Sequence, residues 1–127
     1  MKGILDTHTF IWWDSDPSKL SGPALAFIQD PTNLIYLSVA SVWEIVINQQ
    51  LGKLTATMPL QARVAQQQAN GLLILPATLD HVLAVQTLPT AHKDPFDRLL
   101  IAQANVEGAA LLSGDAIFSQ YAVTIVW

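Results

Sequence analysis

Four carboxylates, at positions 6, 44, 97 and 115, are the residues of this chain best suited to chemistry. Asp6 follows the apolar run Gly-Ile-Leu, and Asp115 follows Ala-Leu-Leu-Ser-Gly. Glu44 and Asp97 stand inside strongly apolar helical segments, where a charge is costly unless something compensates it. The chain has no cysteine and only six Lys and Arg residues. We therefore predict that Asp6, Glu44, Asp97 and Asp115 converge and hold a hard divalent cation, which prefers oxygen ligands.

The elements that would position these acids follow from the apolar pattern. Strands are expected at residues 2–5, 34–37, 72–75 and 109–112, with a fifth at 123–126. Helical patterns cover about residues 20–29, 39–51, 60–70, 79–88 and 96–107. This alternation predicts one α/β domain over residues 1–127, with a central, mainly parallel sheet of four to five strands covered on both faces. Such sheets bind ligands at the carboxyl ends of their strands, which is where Asp6 and Asp115 fall.

The helical period places the other two acids on apolar stripes. Glu44 shares its stripe with Ala40, Ile47 and Leu51, because residues three, four and seven apart lie on one face of a helix. Asp97 shares its stripe with Leu100, Ile101 and Ala104. Both acids are therefore expected to point toward packed protein rather than bulk water.

Each acid also has a structural alternative. Asp6 and Asp115 can cap the helix or turn that follows them. Asp94 before Pro95 fits an N-cap followed by a proline at the first helical position, with Asp97 at the third. Capping alone does not explain why four acids stand where the sheet would gather them. We therefore keep Asp94 as a cap and assign Asp97 to function.

The ring-bearing residues give weaker signals. None of His8, His81 and His92 is paired at the spacing typical of zinc ligands. His81 is expected on a helix surface, whereas His8 and His92 lie near the acids and are candidates for substrate contact. The tryptophans at positions 12, 13 and 43 stand among apolar residues, and we assign them to the core or an interface rather than to base stacking.

Composition limits the class of protein. Hydrophobic residues make up 51% of the chain and charged residues 13%, against about a quarter charged for a typical soluble domain. We expect another chain to cover part of such a surface. The longest apolar stretch, 34–47, contains Glu44 and is shorter than the roughly 20 residues of a membrane span. The sequence thus predicts a soluble, cytoplasmic protein with no membrane partner.

The net charge of −4 argues against a broad surface for polyanions, which would normally be basic. Metal-bound acids weaken that objection, because the ion then sets the local field. Lys93 and Arg98 also stand among Asp94 and Asp97 and form a local positive rim. Both are candidates for phosphate contact, with Lys53 a more distant one.

Four blocks of sequence together resemble the PIN-domain ribonucleases, and more narrowly the VapC-type toxins of bacterial toxin–antitoxin pairs. They are Leu-Asp-Thr-His at 5–8, Ser-Val-Ala-Ser-Val-Trp-Glu-Ile at 38–45, Asp-Pro-Phe-Asp-Arg-Leu-Leu-Ile-Ala-Gln-Ala at 94–104, and Leu-Leu-Ser-Gly-Asp at 111–115. The blocks span essentially the whole chain and follow the order of the family.

This resemblance implies an α/β/α sandwich and an endoribonuclease that depends on Mg²⁺ or Mn²⁺. It also implies a homodimer and a cognate antitoxin as partner. The family's acids map onto Asp6, Glu44, Asp97 and Asp115, and Ser113 stands where a hydroxyl residue often supports the site. One departure is Asn48, where relatives often carry a lysine; this places substrate affinity or partner choice in question rather than the metal site.

Three other readings remain open at this point. The chain can be a noncatalytic partner-binding module of the same fold, although the intact acid set argues against that. It can be a PIN nuclease that acts on DNA or on structured precursor RNA. A response-regulator receiver would also gather acids around Mg²⁺, but neither of the strands at 34–37 and 72–75 is followed directly by an aspartate.

Overall fold

The computed structural model describes residues 1–54, 58–90 and 92–127. Within them, strands alternate with helices. The strands are β1 (Lys2–Leu5), β2 (Leu34–Ser38), β3 (Leu73–Leu75), β4 (Ala110–Leu112) and β5 (Ile125–Val126). The helices are α1 (Thr7–Ser15), α2 (Gly22–Gln29), α3 (Val39–Gln50), α4 (Leu60–Ala69), α5 (Leu79–Ala84) and α6 (Pro95–Glu107). Short 3₁₀ turns cover Pro17–Lys19, Val85–Thr87 and Ala116–Gln120.

The five strands form one parallel sheet in the order β3-β2-β1-β4-β5. The α/β prediction with a mainly parallel sheet is therefore confirmed. A receiver-like sheet has the order 2-1-3-4-5 instead, so the strand order excludes that alternative. In β1, Leu5 is paired with Leu37 of β2 on one side and Leu112 of β4 on the other.

Successive residues of β1 feed two cores, because side chains alternate across a sheet. Ile4 packs with Leu111 and the α6 residues Leu100 and Ile101. Leu5 belongs to the core on the other face of the sheet, to which α1 contributes Phe10 and α3 contributes Ile45. The remaining buried members of this core are Ile35, Leu37, Leu72 and Leu112. Helices cover the sheet on both faces, as expected for a strand whose residues 4 and 5 are fully buried.

Helix α1 was missing from the predicted elements. Its sequence, Thr-His-Thr-Phe-Ile-Trp-Trp-Asp-Ser, is rich in β-branched and aromatic residues with modest helix propensity. What starts it is the cap: the Asp6 side chain accepts a hydrogen bond from the Thr9 N–H. The sequence indicates this cap as an alternative role for Asp6, but its apolar pattern does not predict the helix that the cap starts.

The prediction that His81 lies on a helix surface was wrong, since its side chain is 1% exposed. Its Nδ1 accepts the Thr78 N–H at 3.1 Å, and its Nε2 lies 2.8 Å from Glu107 Oε2. His81 thus closes a capping box at the start of α5, a role usually given to Glu or Gln. Its ring is buried because α5 packs on α6.

Within the described ranges, no helix has the length and apolarity to cross a bilayer.

Gly3 lies where helix α2 passes close over β1. A Cβ placed there would meet the Phe27 ring and would lie 2.7 Å from Leu112 Cδ1. We expect Gly3→Ala to lower the free energy of unfolding by about 1–3 kcal/mol, because both neighbours belong to a packed core. Urea denaturation measures the change. Gly22→Ala is the matched control, since a Cβ there meets nothing within 4 Å; equal effects of the two substitutions would contradict the close approach.

Candidate active site

Asp6 lies at the carboxyl end of the central strand and is only 7% exposed. One carboxylate oxygen, Oδ1, accepts the Thr9 N–H at 2.8 Å. The other, Oδ2, accepts the Ser113 hydroxyl at 2.5 Å. A carboxylate has about four lone-pair positions, so two bonds leave room for a cation. Capping and metal binding, set against each other in the sequence, are compatible at this residue.

The turn after β4 connects Asp6 to Asp115. Since β1 and β4 are parallel neighbours, their ends meet at one edge, and the Asp6 N–H donates to the Leu112 carbonyl at 3.1 Å. Ser113 is buried, and its hydroxyl oxygen accepts the Asp115 N–H at 3.0 Å. The exposed Asp115 accepts the Ile117 N–H and caps the 3₁₀ turn. Ser113 therefore fixes both acids through one hydroxyl.

Glu44 reaches the same edge from α3. The N-cap of this helix is Ser38, whose hydroxyl accepts the Ala40 N–H. Glu44 is half-buried, and its Oε1 accepts a hydrogen bond from the Thr7 hydroxyl. Thr7 follows Asp6 directly, so this bond brings Glu44 beside the central acid.

Asp97, in the first turn of α6, has the most perturbed carboxyl group. Its pKa is raised to about 6; burial is the largest cause, and the negative charges of Asp94 and Glu44 act in the same direction. A hydrogen bond with His92, whose Nε2 lies 2.8 Å from Asp97 Oδ2, lowers the pKa. Repulsion among neighbouring acids therefore contributes to the raised pKa of Asp97, but desolvation contributes more.

The four predicted acids are linked one to the next and do not form one tight group. Asp115 and Asp6 both hydrogen-bond to Ser113, and Glu44 accepts a hydrogen bond from Thr7, the residue after Asp6. The negative charge of Glu44 in turn raises the pKa of Asp97. In the described part of the chain, the set with ligand atoms all within 4.8 Å of one another is His92, Asp94 and Asp97. The predicted four do not form such a set there.

Asp94 has the structural role assigned from the sequence. Its Oδ1 accepts the N–H groups of Phe96 and Asp97 at 2.9 and 3.3 Å, which confirms the N-cap of α6. Pro95 occupies the first helical position, where a missing N–H costs nothing. This cap sets the orientation of the first turn of α6 and therefore the position of Asp97.

The predicted cations have different surroundings. Arg98 donates from Nη1 to the carbonyls of Pro89 and His92, at 2.5 and 3.2 Å, and from Nη2 to the Val85 carbonyl at 3.4 Å. It therefore fastens the segment that carries His92, a role the sequence did not indicate. Lys93 is exposed. Phosphate contact by either residue stays a prediction.

The donor set fits a hard divalent cation. The acids offer carboxylate oxygens, and Ser113 and Thr7 orient two of them through hydroxyl groups. A half-buried acid with a pKa near 6, beside two further carboxylates, is a place where a bound cation would relieve an electrostatic cost. Mg²⁺ keeps several waters and binds through one or two carboxylates directly, so the acids need not all touch it.

The sequence profile of the PIN domain matches residues 3–123. The chain belongs to the PIN-domain family. The family predicted from the sequence blocks is therefore confirmed. Among curated proteins, none matches this PIN domain significantly.

Three solved structures contain a chain with the same fold. One is VapBC2 from Rickettsia felis bound to a DNA fragment from their promoter, with a TM-score of 0.72 and 15% identity over 98% of this PIN domain and 97% of the other chain. The second is DNA-bound VapBC from Salmonella typhimurium, with a TM-score of 0.69 and 14% identity over 98% and 96%. The third is VapBC-1 from nontypeable Haemophilus influenzae, with a TM-score of 0.63 and 14% identity over 94% and 91%. This likeness confirms the predicted α/β/α fold.

The raised pKa of Asp97 predicts how stability depends on pH. The folded protein binds a proton at the Asp97 carboxyl group more tightly than the unfolded chain does. The resulting contribution to the free energy of unfolding is complete below about pH 4 and is lost as the pH rises to about 6. In EDTA, the stability of the natural protein relative to Asp97→Asn should fall by about 1–3 kcal/mol between pH 4 and pH 7. Urea denaturation across that range measures the difference. Asp80→Asn, at an exposed site, is the control; an Asp97→Asn curve parallel to that of the natural protein would refute the assignment.

Proposed function

We propose that this PIN domain is a metal-dependent endoribonuclease and the toxin of a toxin–antitoxin pair. The observation that carries the proposal is the position of Asp6, held by two hydrogen bonds at the carboxyl end of the central strand, with Asp115 and Glu44 fixed beside it. This edge is where parallel α/β sheets bind their ligands. Family membership supports nuclease chemistry at that edge.

Within this proposal, Asp6 and Asp97 are the direct ligands of Mg²⁺ or Mn²⁺, and Glu44 and Asp115 complete the site. The bonds from Thr9 and Ser113 support the first assignment, because they fix Asp6 with lone pairs to spare. Glu44 and Asp115 are each held by one neighbouring hydrogen bond, from Thr7 and Ile117. When bound, the cation supplies an acidified water and a counter-charge for the phosphate.

The chain's own residues supply positioning. Ser113 keeps the Asp6 carboxylate facing one direction and couples it to the backbone of Asp115. His92 does the same for Asp97, and Arg98 holds the segment on which His92 stands. Outer hydrogen bonds of this kind typically change metal affinity or activity by about 10–100-fold when removed. The acids are thus oriented before substrate arrives.

RNA is the proposed substrate, and the cytoplasm the proposed place of action. The family resemblance of the four blocks supports RNA, while the net charge of −4 indicates a small positive footprint. Lys93, exposed next to the His92–Asp97 pair, is the candidate for phosphate contact. With few cations, substrate shape would then contribute more than long backbone tracking.

An antitoxin partner is supported by the fold likeness to chains of three VapBC structures. The surface offers a matching feature: a cleft of about 540 Å³ at α1, α3 and α4 whose lining combines apolar with polar side chains. Residues that contribute to it include Ile11, Ile45, Leu54, Met58 and Leu60.

The proposed homodimer has separate support in α5, where Leu79, Val82 and Leu83 are 72%, 52% and 48% exposed.

Asp6→Asn should abolish cleavage of total RNA in Mg²⁺ or Mn²⁺, by about a hundredfold or more, because it removes one charge at the centre of the acid set. The fold should persist, since asparagine can also cap a helix through its Oδ1, and its Nδ2 can donate to the Ser113 hydroxyl oxygen. Gel analysis of discrete fragments, with EDTA as a second control, measures the effect. Asp80→Asn removes an exposed acid of α5 and should cleave like the natural protein.

Two results would count against the nuclease. Retained metal-dependent cleavage by a folded Asp6→Asn variant would remove Asp6 from the site. Absence of cleavage by the natural protein in either metal, after separation from any bound partner, would favour a noncatalytic binding module of the same fold. Cleavage of DNA in preference to RNA would keep the reaction and change the substrate.

The partner proposal has its own test. We expect a small reading frame beside the gene for this PIN domain, and its product should bind the domain and inhibit its cleavage of RNA. Met58→Glu introduces a charge at one of the apolar side chains of this cleft, which is 43% exposed, and should weaken that binding about tenfold or more without changing cleavage. Val106→Glu on α6, 45% exposed, is the matched control. Equal affinities of the two variants, measured by calorimetry, would place the antitoxin elsewhere.

A further inference from the structure

A second cleft, of about 380 Å³, adjoins the acids on the side of α1 and β5. Its lining combines three aromatic side chains, His8, Trp12 and Trp127, with the side chain of Lys19 and the turn at Gly114. The volume lies within the range of about 300–1,000 Å³ found for small-molecule sites. Asp6 and Asp115 also border the cleft, so whatever occupies it lies next to the proposed metal site.

The three rings form a row that remains open. The centroids of His8 and Trp12 are 5.8 Å apart, and those of Trp12 and Trp127 are 6.0 Å apart. The ring planes are tilted by 46° and 49°, so the rings do not stack face to face on one another. His8 is exposed, and Trp12 and Trp127 are half-buried. Trp12, which the sequence assigns to the core or an interface, lines this cleft, whereas its neighbour Trp13 packs against the core.

Gly114 couples the row to the acids. A Cβ at this position would come within 2.7 Å of the Trp127 ring, so the ring lies directly against the backbone between Ser113 and Asp115. The absence of a side chain at 114 is therefore a condition for the ring's position. A group stacked on Trp127 would accordingly be held close to the turn that orients Asp115 and Asp6.

Lys19 adds one positive charge to this cleft. It is exposed at the end of the 3₁₀ turn after α1. Among the residues that the structure describes, no carboxylate oxygen lies within 4.0 Å of its Nζ. Aromatic faces with a nearby cation are the combination with which proteins bind single-stranded nucleic acids, the rings stacking on bases and the cation contacting the backbone.

We propose that this cleft binds one unstacked nucleobase of the substrate, on the rings of Trp12 and Trp127, with Lys19 against the adjoining phosphate. The proposal rests on the proposed ribonuclease function and adds to it a subsite for one base beside the acids. In a duplex each base is covered on both faces by its neighbours, and only a splayed base can enter an aromatic cleft. The stacked base fixes which phosphate reaches Asp6 and Asp115.

The test measures binding in an Asp97→Asn background with Mg²⁺, so that the proposed cleavage is blocked by a change outside the cleft lining. The probe is a fluorescent single-stranded oligoribonucleotide of mixed sequence, about 12 nucleotides long, compared with the same sequence as a duplex. Trp12→Leu and Trp127→Leu remove the stacking faces and keep an apolar side chain. Trp13→Leu, on the same helix but packed against the core, is the matched control. If a leucine variant does not fold, Trp12→Phe and His8→Ala, at an exposed position, test the cleft with smaller changes.

Each leucine variant in the cleft should weaken single-strand binding about tenfold, while Trp13→Leu stays within about twofold and Trp12→Phe retains most of the affinity. The duplex should bind more weakly than the single strand to the parent protein. Equal binding by the folded Trp12, Trp127 and Trp13 variants, or equal affinity for the duplex, would overturn the proposal. So would a change confined to self-association in light scattering, which would make the cleft a protein interface.

The two proposals fail separately. If the natural protein cleaves RNA with metal but the cleft variants bind normally, the base subsite is wrong and the nuclease stands. If no cleavage is found yet the cleft variants lose single-strand binding, the subsite stands and the nuclease is wrong.

Discussion

The hydrogen bond from Ser113 to the buried Asp6 is the interaction on which the arrangement of this site depends. Asp6 ends the central strand, Ser113 follows the neighbouring strand, and the register of β1 with β4 brings them together. A buried carboxylate without partners would be costly. Here Thr9 and Ser113 satisfy both oxygens, and the same Ser113 hydroxyl receives the Asp115 N–H. One serine therefore stabilises the buried acid and positions the exposed one.

Asp97 presents the opposite electrostatic situation. Its carboxyl group is partly desolvated and faces Asp94 and Glu44, and the hydrogen bond with His92 offsets part of the cost. The cap from Asp94 and the hydrogen bonds from Arg98 to the carbonyls of Pro89 and His92 keep it in place. A scaffold gains nothing from an acid held where its charge is disfavoured. An acid whose pKa is raised by burial and like charges in this way is typical of functional sites.

Much of this organisation was readable from the sequence, and the exceptions have physical reasons. Continuous apolar runs such as Leu72–Leu75 and the helical period of 96–107 indicated the sheet and α6, since burial enforces those patterns. Helix α1 escaped because its propensity is modest and a single cap at Asp6 starts it. The burial of His81 and the anchoring role of Arg98 could not be predicted from the sequence pattern. His81 pairs with Glu107, which is distant in sequence, and Arg98 donates to loop carbonyls such as that of Pro89. Periodicity carries no information about such pairings.

Capping and catalysis, which compete as explanations in the sequence, are combined in the structure. Asp6, Asp94 and Asp115 each accept a backbone N–H at the start of a helix or 3₁₀ turn. Such a bond uses one of about four lone-pair positions of a carboxylate and fixes its rotamer. An acid that caps a helix is thereby preorganised, because its orientation is set by folding rather than by the ligand. A sheet whose strands end in helix-capping acids is consequently well suited to bind a cation at that edge, and capping geometry at several acids of one sheet edge supports a functional site rather than arguing against it.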